Sequence, residues 1–146
     1  MLIYALTIFA SAFLLFLVQP IMAKQILPWF GGSAAVWTTC LMFFQLVLLA
    51  GYAYADWTVR FLKPRPQVML HVALIVISLV SLPIIADSGW KPDGDEDPTW
   101  LILGLLAATI GLPYFLLSTT GPLLQAWFAR SYPRAKNVYR LFALSN

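Results

Sequence analysis

Charge is scarce in this sequence. Of its 146 residues only 9 are Lys or Arg and 6 are Asp or Glu, together 10%, where a soluble domain carries about 25%. A chain that is 61% hydrophobic, with a mean hydropathy of +0.82, does not cover its own surface with polar groups in water. An ordinary soluble enzyme, a disordered chain and a nucleic-acid binder are therefore excluded together. Cysteine is scarcer still. Cys40 stands alone, so no internal disulfide forms, and no Cys/His cluster suggests a zinc site. The net charge of +3 and pI near 9.2 are basic, as is common where Lys and Arg collect in the cytoplasmic loops of a membrane protein.

The few charges divide the chain into spans. None occurs from Met1 to Ala23, from Gln25 to Ala55, from Pro66 to Ala86, or from Pro98 to Ala129. A bilayer core needs about 20 apolar residues of helix. The runs therefore predict an all-α, integral membrane chain: one domain, residues 1–146, with about four transmembrane helices at roughly 2–22, 34–55, 68–86 and 100–128. The last run is too long for one straight span. Pro113 and Pro122 each remove a backbone donor inside it, so a kink between them is expected. Ser118, Thr119 and Thr120 are placed to satisfy the freed carbonyls. The first run lacks a basic start and is longer than a signal-peptide core, so it is read as a helix that stays in the membrane.

Basic residues set the expected orientation. Arg60, Lys63 and Arg65 follow helix 2, and Arg130, Arg134, Lys136 and Arg140 follow helix 4, whereas Lys24 and Lys91 stand alone in the other connections. Both rich segments and both termini are thus expected in the cytoplasm, with the acidic stretch Asp93–Asp97 outside. The tryptophans agree: Trp29, Trp37, Trp90 and Trp100 fall near the outer interface, Trp57 and Trp127 near the inner one. Tyr4, Tyr52, Tyr54, Tyr132 and Tyr139 cluster near the inner side. The acidic stretch lacks the alternation and terminal Glu of an EF-hand loop and reads as a solvated turn.

No carboxylate, Lys or Arg lies inside a span, so no proton relay is visible. His71, near the start of helix 3, is a weak candidate for a haem or chlorophyll ligand, and more simply a hydrogen-bonded side chain. The remaining polar residues, Gln19, Thr38, Gln45, Tyr114, Ser118, Thr119 and Gln125, either line a polar pathway or bond helices together. Small residues four apart, Gly51/Ala55, Gly104/Ala108 and Ala107/Gly111, are candidate helix-packing faces, expected to seek partner helices. Phe9, Phe13 and Phe16 form a stripe on helix 1 that suits packing or lipid contact. No catalytic set, metal cluster or phosphate-cradling loop can be assembled, so neither enzyme activity nor a cofactor is expected.

Several clusters carry a resemblance. Phe16-Leu-Val-Gln19-Pro20 with Lys24, Leu27-Pro28-Trp29-Phe30-Gly31-Gly32-Ser33, Val36-Trp37-Thr38-Thr39-Cys40, Gln45 with Leu49-Ala-Gly51-Tyr-Ala-Tyr54, and Leu112-Pro113-Tyr114-Phe115 with Ser118-Thr119-Thr120-Gly121-Pro122 and Gln125-Ala-Trp127 resemble the N-terminal membrane region of bacterial fused major-facilitator/spermidine-synthase-like proteins. The resemblance implies the first helices of a major-facilitator bundle in a cell inner membrane. It does not carry over aminopropyl transfer, because the soluble synthase-like part is not in these residues. Gly51 precedes Asp56 by one position more than the facilitator loop motif expects. The segment 139–146 resembles the start of a further helix, so a piece of a longer protein and a shortened relative both stay open.

Two readings follow. In the first, the chain is a membrane component, transporter-like in ancestry, that acts through helix packing and has no chemistry of its own. Its partners are then lipid and other transmembrane helices, whether of a larger complex, a second copy or the rest of a longer chain. In the alternative it is the N-terminal part of a transporter for polyamines or similar small cations, a substrate class implied by the resemblance alone.

Overall fold

The computed structural model describes residues 2–80, 82, 88–91, 97–132 and 143. Every regular element among them is helical: α1 (Leu2–Ile26), α2 (Ala34–Phe61), α3 (Pro64–Val80), a 3-10 turn (Ser88–Trp90), α4 (Pro98–Leu106), a π turn (Ala107–Gly111) and α5 (Leu112–Ser131). Three helical runs are long and apolar enough to cross a membrane: α1 with 25 residues, α2 with 28, and the continuous run Pro98–Ser131 with 34. α3 is shorter, with 17 described residues. Most of the expected second half of helix 3, and residues 139–142 and 144–146, lie outside the described residues, as does the acidic stretch up to Glu96.

Local chemistry explains the boundaries. α1 ends before Pro28, and Gly31 (φ 85°) and Gly32 (φ 61°) take left-handed conformations that favour glycine. The Gly32 amide donates to Leu27 O at 3.0 Å, closing the turn. Ser33 then caps α2 from an extended conformation, its hydroxyl facing the Val36 amide. α2 stops because Lys63 precedes Pro64, a position that disfavours helix, and Pro64 itself opens α3, where a missing N–H costs nothing. Asp97 caps α4, accepting from the Thr99 amide at 2.9 Å, with Pro98 as the first helical residue.

The helices run further than the charge-free stretches. α1 continues past Lys24, and α2 passes Asp56 and Arg60, which pair across one turn at 2.8 Å. Such residues reach polar surroundings from a helix end without breaking the helix.

The expected break in the last span is displaced. The helix is continuous from Leu112 through Pro122 to Ser131, and the irregularity precedes both prolines, at Ala107–Gly111. A widened turn ahead of Pro113 suits a ring that would otherwise press on the carbonyl four residues back, at Thr109. The hydroxyls of Ser118, Thr119 and Thr120 also do not reach the carbonyls that the prolines release. Ser118 donates to Phe115 O (2.6 Å), and Thr119 and Thr120 both donate to Leu116 O (2.8 Å each).

Neighbouring contacts fix the directions of the helices. α1 and α5 are antiparallel: Tyr4 meets Phe128 edge-on at 5.2 Å, Ser11 Oγ donates to Leu117 O, and Gln19 reaches Tyr114. α2 and α5 run parallel, with Phe44 against Tyr114 (4.9 Å), Tyr54 against Phe115 (5.3 Å) and Val59 against Arg130. Hence the start of α1, the α2–α3 corner and the end of α5 share one end of the bundle, together with Arg60, Lys63, Arg65 and Arg130. The opposite end holds the α1–α2 turn, where Lys91 Nζ lies 5.4 Å from the Trp29 ring centre.

The main core sits toward this second end. It joins Met22, Ala23 and Ile26 of α1, Val36, Cys40 and Phe44 of α2, and Ile102, Leu105, Ile110 and Tyr114 of the last run. A smaller cluster, Ile8 and Phe128 with Tyr4 and Leu124 beside them, closes the first end. Apolar residues surround α1, and Phe9, Phe13 and Phe16 remain exposed on it. Between membrane helices such contacts stabilise by close packing and dispersion, since lipid tails are as apolar as Leu.

Candidate functional site

Between the two apolar clusters lies a cavity of about 300 Å³. α1 lines it with Ile8, Ser11, Ala12 and Leu15, and α5 with Leu117, Ser118, Gly121, Pro122 and Gln125. Tyr52, an exposed residue, contributes from α2. Its α5 wall follows from helical spacing: residues 118, 121, 122 and 125 share one face. Gly121 has no side chain to fill the space, and Pro122 has no N–H for the carbonyl of Ser118.

Two polar junctions flank the cavity. Above it, Gln19 Nε2 donates to the hydroxyl of Tyr114 at 2.7 Å, and Tyr114 is fully buried. Below it, the completely buried Gln67 ties three helices. Its amide nitrogen donates to Thr58 Oγ1 (3.2 Å), while its carbonyl oxygen accepts from Trp127 Nε1 (3.1 Å) and an Arg130 guanidinium nitrogen (3.2 Å). The other terminal nitrogen of Arg130 donates to Val59 O at 2.6 Å, placing a cation where the last carbonyls of α2 are unpaired.

The expected polar set is thus dispersed. Gln19 and Tyr114 bond to each other, and Ser118 and Gln125 meet at the cavity. Thr119 is buried and bonded to its own helix, and Thr38, exposed, donates to Ala34 O at 2.9 Å. Gln45 stands apart, exposed on α2 among the exposed Leu41, Met42, Leu46 and Leu49.

The small residues also differ in use. At Gly51 α2 comes close against α5: a Cβ there would fall on Ser118 Oγ and lie 2.9 Å from Ser118 Cβ. Ala55, one turn on, is buried as well, so this face is occupied inside the chain and not open to a partner helix. Gly104 faces the Trp90 ring, where a Cβ would stand at 3.0 Å, and Gly111 lies near Phe43. Ala108 is exposed.

His71 is buried between two rings, Tyr54 at 6.3 Å and Trp127 at 6.2 Å. Its Nδ1 and the Tyr54 hydroxyl have no hydrogen-bond partner among the described residues. No three side chains of the His, Cys, Asp or Glu type come together among the described residues to hold a metal.

Ser11, Gln67 and Arg130 were not singled out as site residues from the sequence. Ser11 is a hydroxyl in an otherwise apolar run. Gln67 and Arg130 lie at the margins of their spans, where polar residues ordinarily meet solvent. Family models, curated proteins and solved structures, compared in turn with this chain, return no match.

Proposed function

We propose that the chain is an integral membrane component, transporter-like in ancestry, that acts by packing against other transmembrane helices and carries no chemistry of its own. The observation that supports this reading most is Gln45. It is an exposed amide in the middle of α2, surrounded by exposed Leu and Met side chains. In hydrocarbon an unpaired amide costs about 4–8 kcal/mol by water-to-alkane transfer, and a hydrogen-bonding partner on another helix offsets that cost. The bundle's own helices leave this position uncovered. A face bearing one amide among aliphatic side chains is what an interhelical contact in a bilayer needs.

In this reading α3 completes a fourth span, both termini are cytoplasmic, and the host membrane is a bacterial inner membrane. The gathering of Arg60, Lys63, Arg65 and Arg130 at one end supports that orientation. The motif resemblance to fused major-facilitator/spermidine-synthase-like proteins supports the ancestry. The cavity favours the second reading, part of a transporter for a small cation such as a polyamine, although its described lining side chains offer no carboxylate to an ammonium group.

The test is reconstitution and crosslinking. A Cys40→Ala/Gln45→Cys chain in membranes should crosslink to another transmembrane segment or to a second copy, and Gln45→Leu should weaken the association. Saturable spermidine uptake by liposomes holding the purified chain alone would overturn the proposal and favour the transporter reading.

A further inference from the structure

The cavity between α1, α2 and α5 has a consistent chemistry. Its apolar side is Ile8, Ala12, Leu15 and Leu117, and its polar side is Tyr52, Ser118 and Gln125. The protons of the two serine hydroxyls around it are already committed. Ser11 donates to Leu117 O at 2.9 Å, and Ser118 donates to Phe115 O at 2.6 Å. Each oxygen keeps a lone pair, so both hydroxyls face further partners as acceptors. The carbonyl of Ser118 adds another acceptor in the same wall, because residue 122 is proline and supplies no N–H. Around Ser11 and Ser118 the polar atoms left over are therefore acceptors, and this part of the wall selects a group that donates.

Charge and size narrow the class further. Among the described residues no Asp, Glu, Lys, Arg or His lines the space, so an ion would enter without a counter-charge from them, which is costly away from water. The volume of about 300 Å³ is at the lower edge of ordinary ligand pockets, and a cavity of about 150 Å³ already accepts benzene. There is room for one aromatic ring with a polar substituent.

We infer that this cavity binds a small uncharged molecule with a hydrogen-bond donor on an apolar body, an alcohol, phenol or indole. The donor sits against Ser118 and Ser11, and the body lies along Ile8, Ala12 and Leu15. This site is separate from the Gln45 face, so either assignment can fail without the other.

The test is a fluorine NMR titration of the full chain in phosphatidylcholine nanodiscs. The probes are 4-fluorobenzyl alcohol, 4-fluoroanisole, which lacks the donor, and 4-fluorobenzylammonium, which adds a charge. The expected result is saturable binding of the alcohol, about five-fold tighter than the anisole, as one net hydrogen bond provides, with the ammonium weaker than the alcohol. Ala12→Phe fills the cavity and should abolish saturation. Ser118→Ala, which removes one acceptor and little volume, should weaken the alcohol about three- to ten-fold and leave the anisole unchanged. Partitioning no different from empty nanodiscs overturns the assignment. So does equal or tighter binding of the anisole or the ammonium, or alcohol binding unaltered in both variants.

Discussion

Gln19 of α1 and Tyr114 of α5 share a 2.7 Å hydrogen bond across the antiparallel helix pair, with Phe44 packed on the Tyr114 ring at 4.9 Å. The bond joins the first and last helices of the described chain through residues 95 positions apart. Tyr114→Phe should destabilise the fold in detergent by about 1 kcal/mol, because the Gln19 amide loses its partner while the ring packing survives. Gln19→Leu should cost a similar amount, and the double variant less than the sum. A coupling of about 0.6 kcal/mol is expected, the average for interhelical hydrogen bonds in membranes, with about 1.7 as the upper end. Thermal unfolding of the four proteins measures it, and strict additivity would count against a direct bond.

Gly51 should tolerate no side chain. Rotating the Ser118 hydroxyl away would clear one clash, but Ser118 Cβ at 2.9 Å from the new atom is fixed by its backbone. Gly51→Ala is therefore expected to destabilise by about 1–3 kcal/mol, the usual cost of overpacking. Ser118→Gly in the same chain should recover much of it. Gly31 and Gly32, with open space around them, answer to backbone conformation instead, since both hold positive φ.

Much of the helical layout was legible in charge and turn residues. Runs without ions located α1, α2 and the long last helix, and Gly31-Gly32-Ser33 marked the start of α2. The ends were less legible, because Lys24, Asp56 and Arg60 sit on helices beyond the apolar runs and reach outward. Pro64 opened α3 four residues before its expected start, since proline stops one helix and begins the next with equal ease. The π turn at Ala107–Gly111 leaves no pattern in a stretch of small residues. For the site, residue types could be read but partnerships could not. Which hydroxyl meets which carbonyl depends on the register of α1 against α5, and that register is set by tertiary packing. Gln67 shows the same limit: at the edge of a span it looks solvated, and only the return of α5 buries it.

The start of α4 should respond to acid. Asp97 is fully exposed, and hydrogen bonds from the Thr99 amide and then from its hydroxyl hold the carboxyl below its ordinary value of 3.8. A carboxyl whose folded value is depressed adds stability that is complete above the ordinary value and is lost as pH falls through the folded one. Amide exchange at Thr99 and Trp100 should therefore be flat from pH 7 to about 5 and accelerate below about 4, after correction for intrinsic rates. Asp97→Asn keeps a capping oxygen without the ionisation, so its corrected profile should lose the acid limb.

Orientation in the membrane rests on the end of the bundle that gathers the basic residues. Arg130 reaches Val59 O and Gln67, so the end of α5 and the α2–α3 corner cannot lie on opposite sides of a bilayer. Arg60, Lys63 and Arg65 stand at this same corner, against Lys24 and Lys91 elsewhere among the described residues. Basic residues close to span ends resist translocation, so this end is expected on the cytoplasmic side. In a Cys40→Ala background, Leu62→Cys should resist an impermeant maleimide on intact cells and react after permeabilisation. Gly94→Cys should react from outside. Replacing Arg60, Lys63 and Arg65 together by Gln should weaken the preference, giving a mixture in which Leu62→Cys is partly labelled on intact cells. Full labelling of Leu62→Cys from outside in the otherwise unaltered chain would reverse the orientation, and with it the assignment of Trp29 and Lys91 to the outer face.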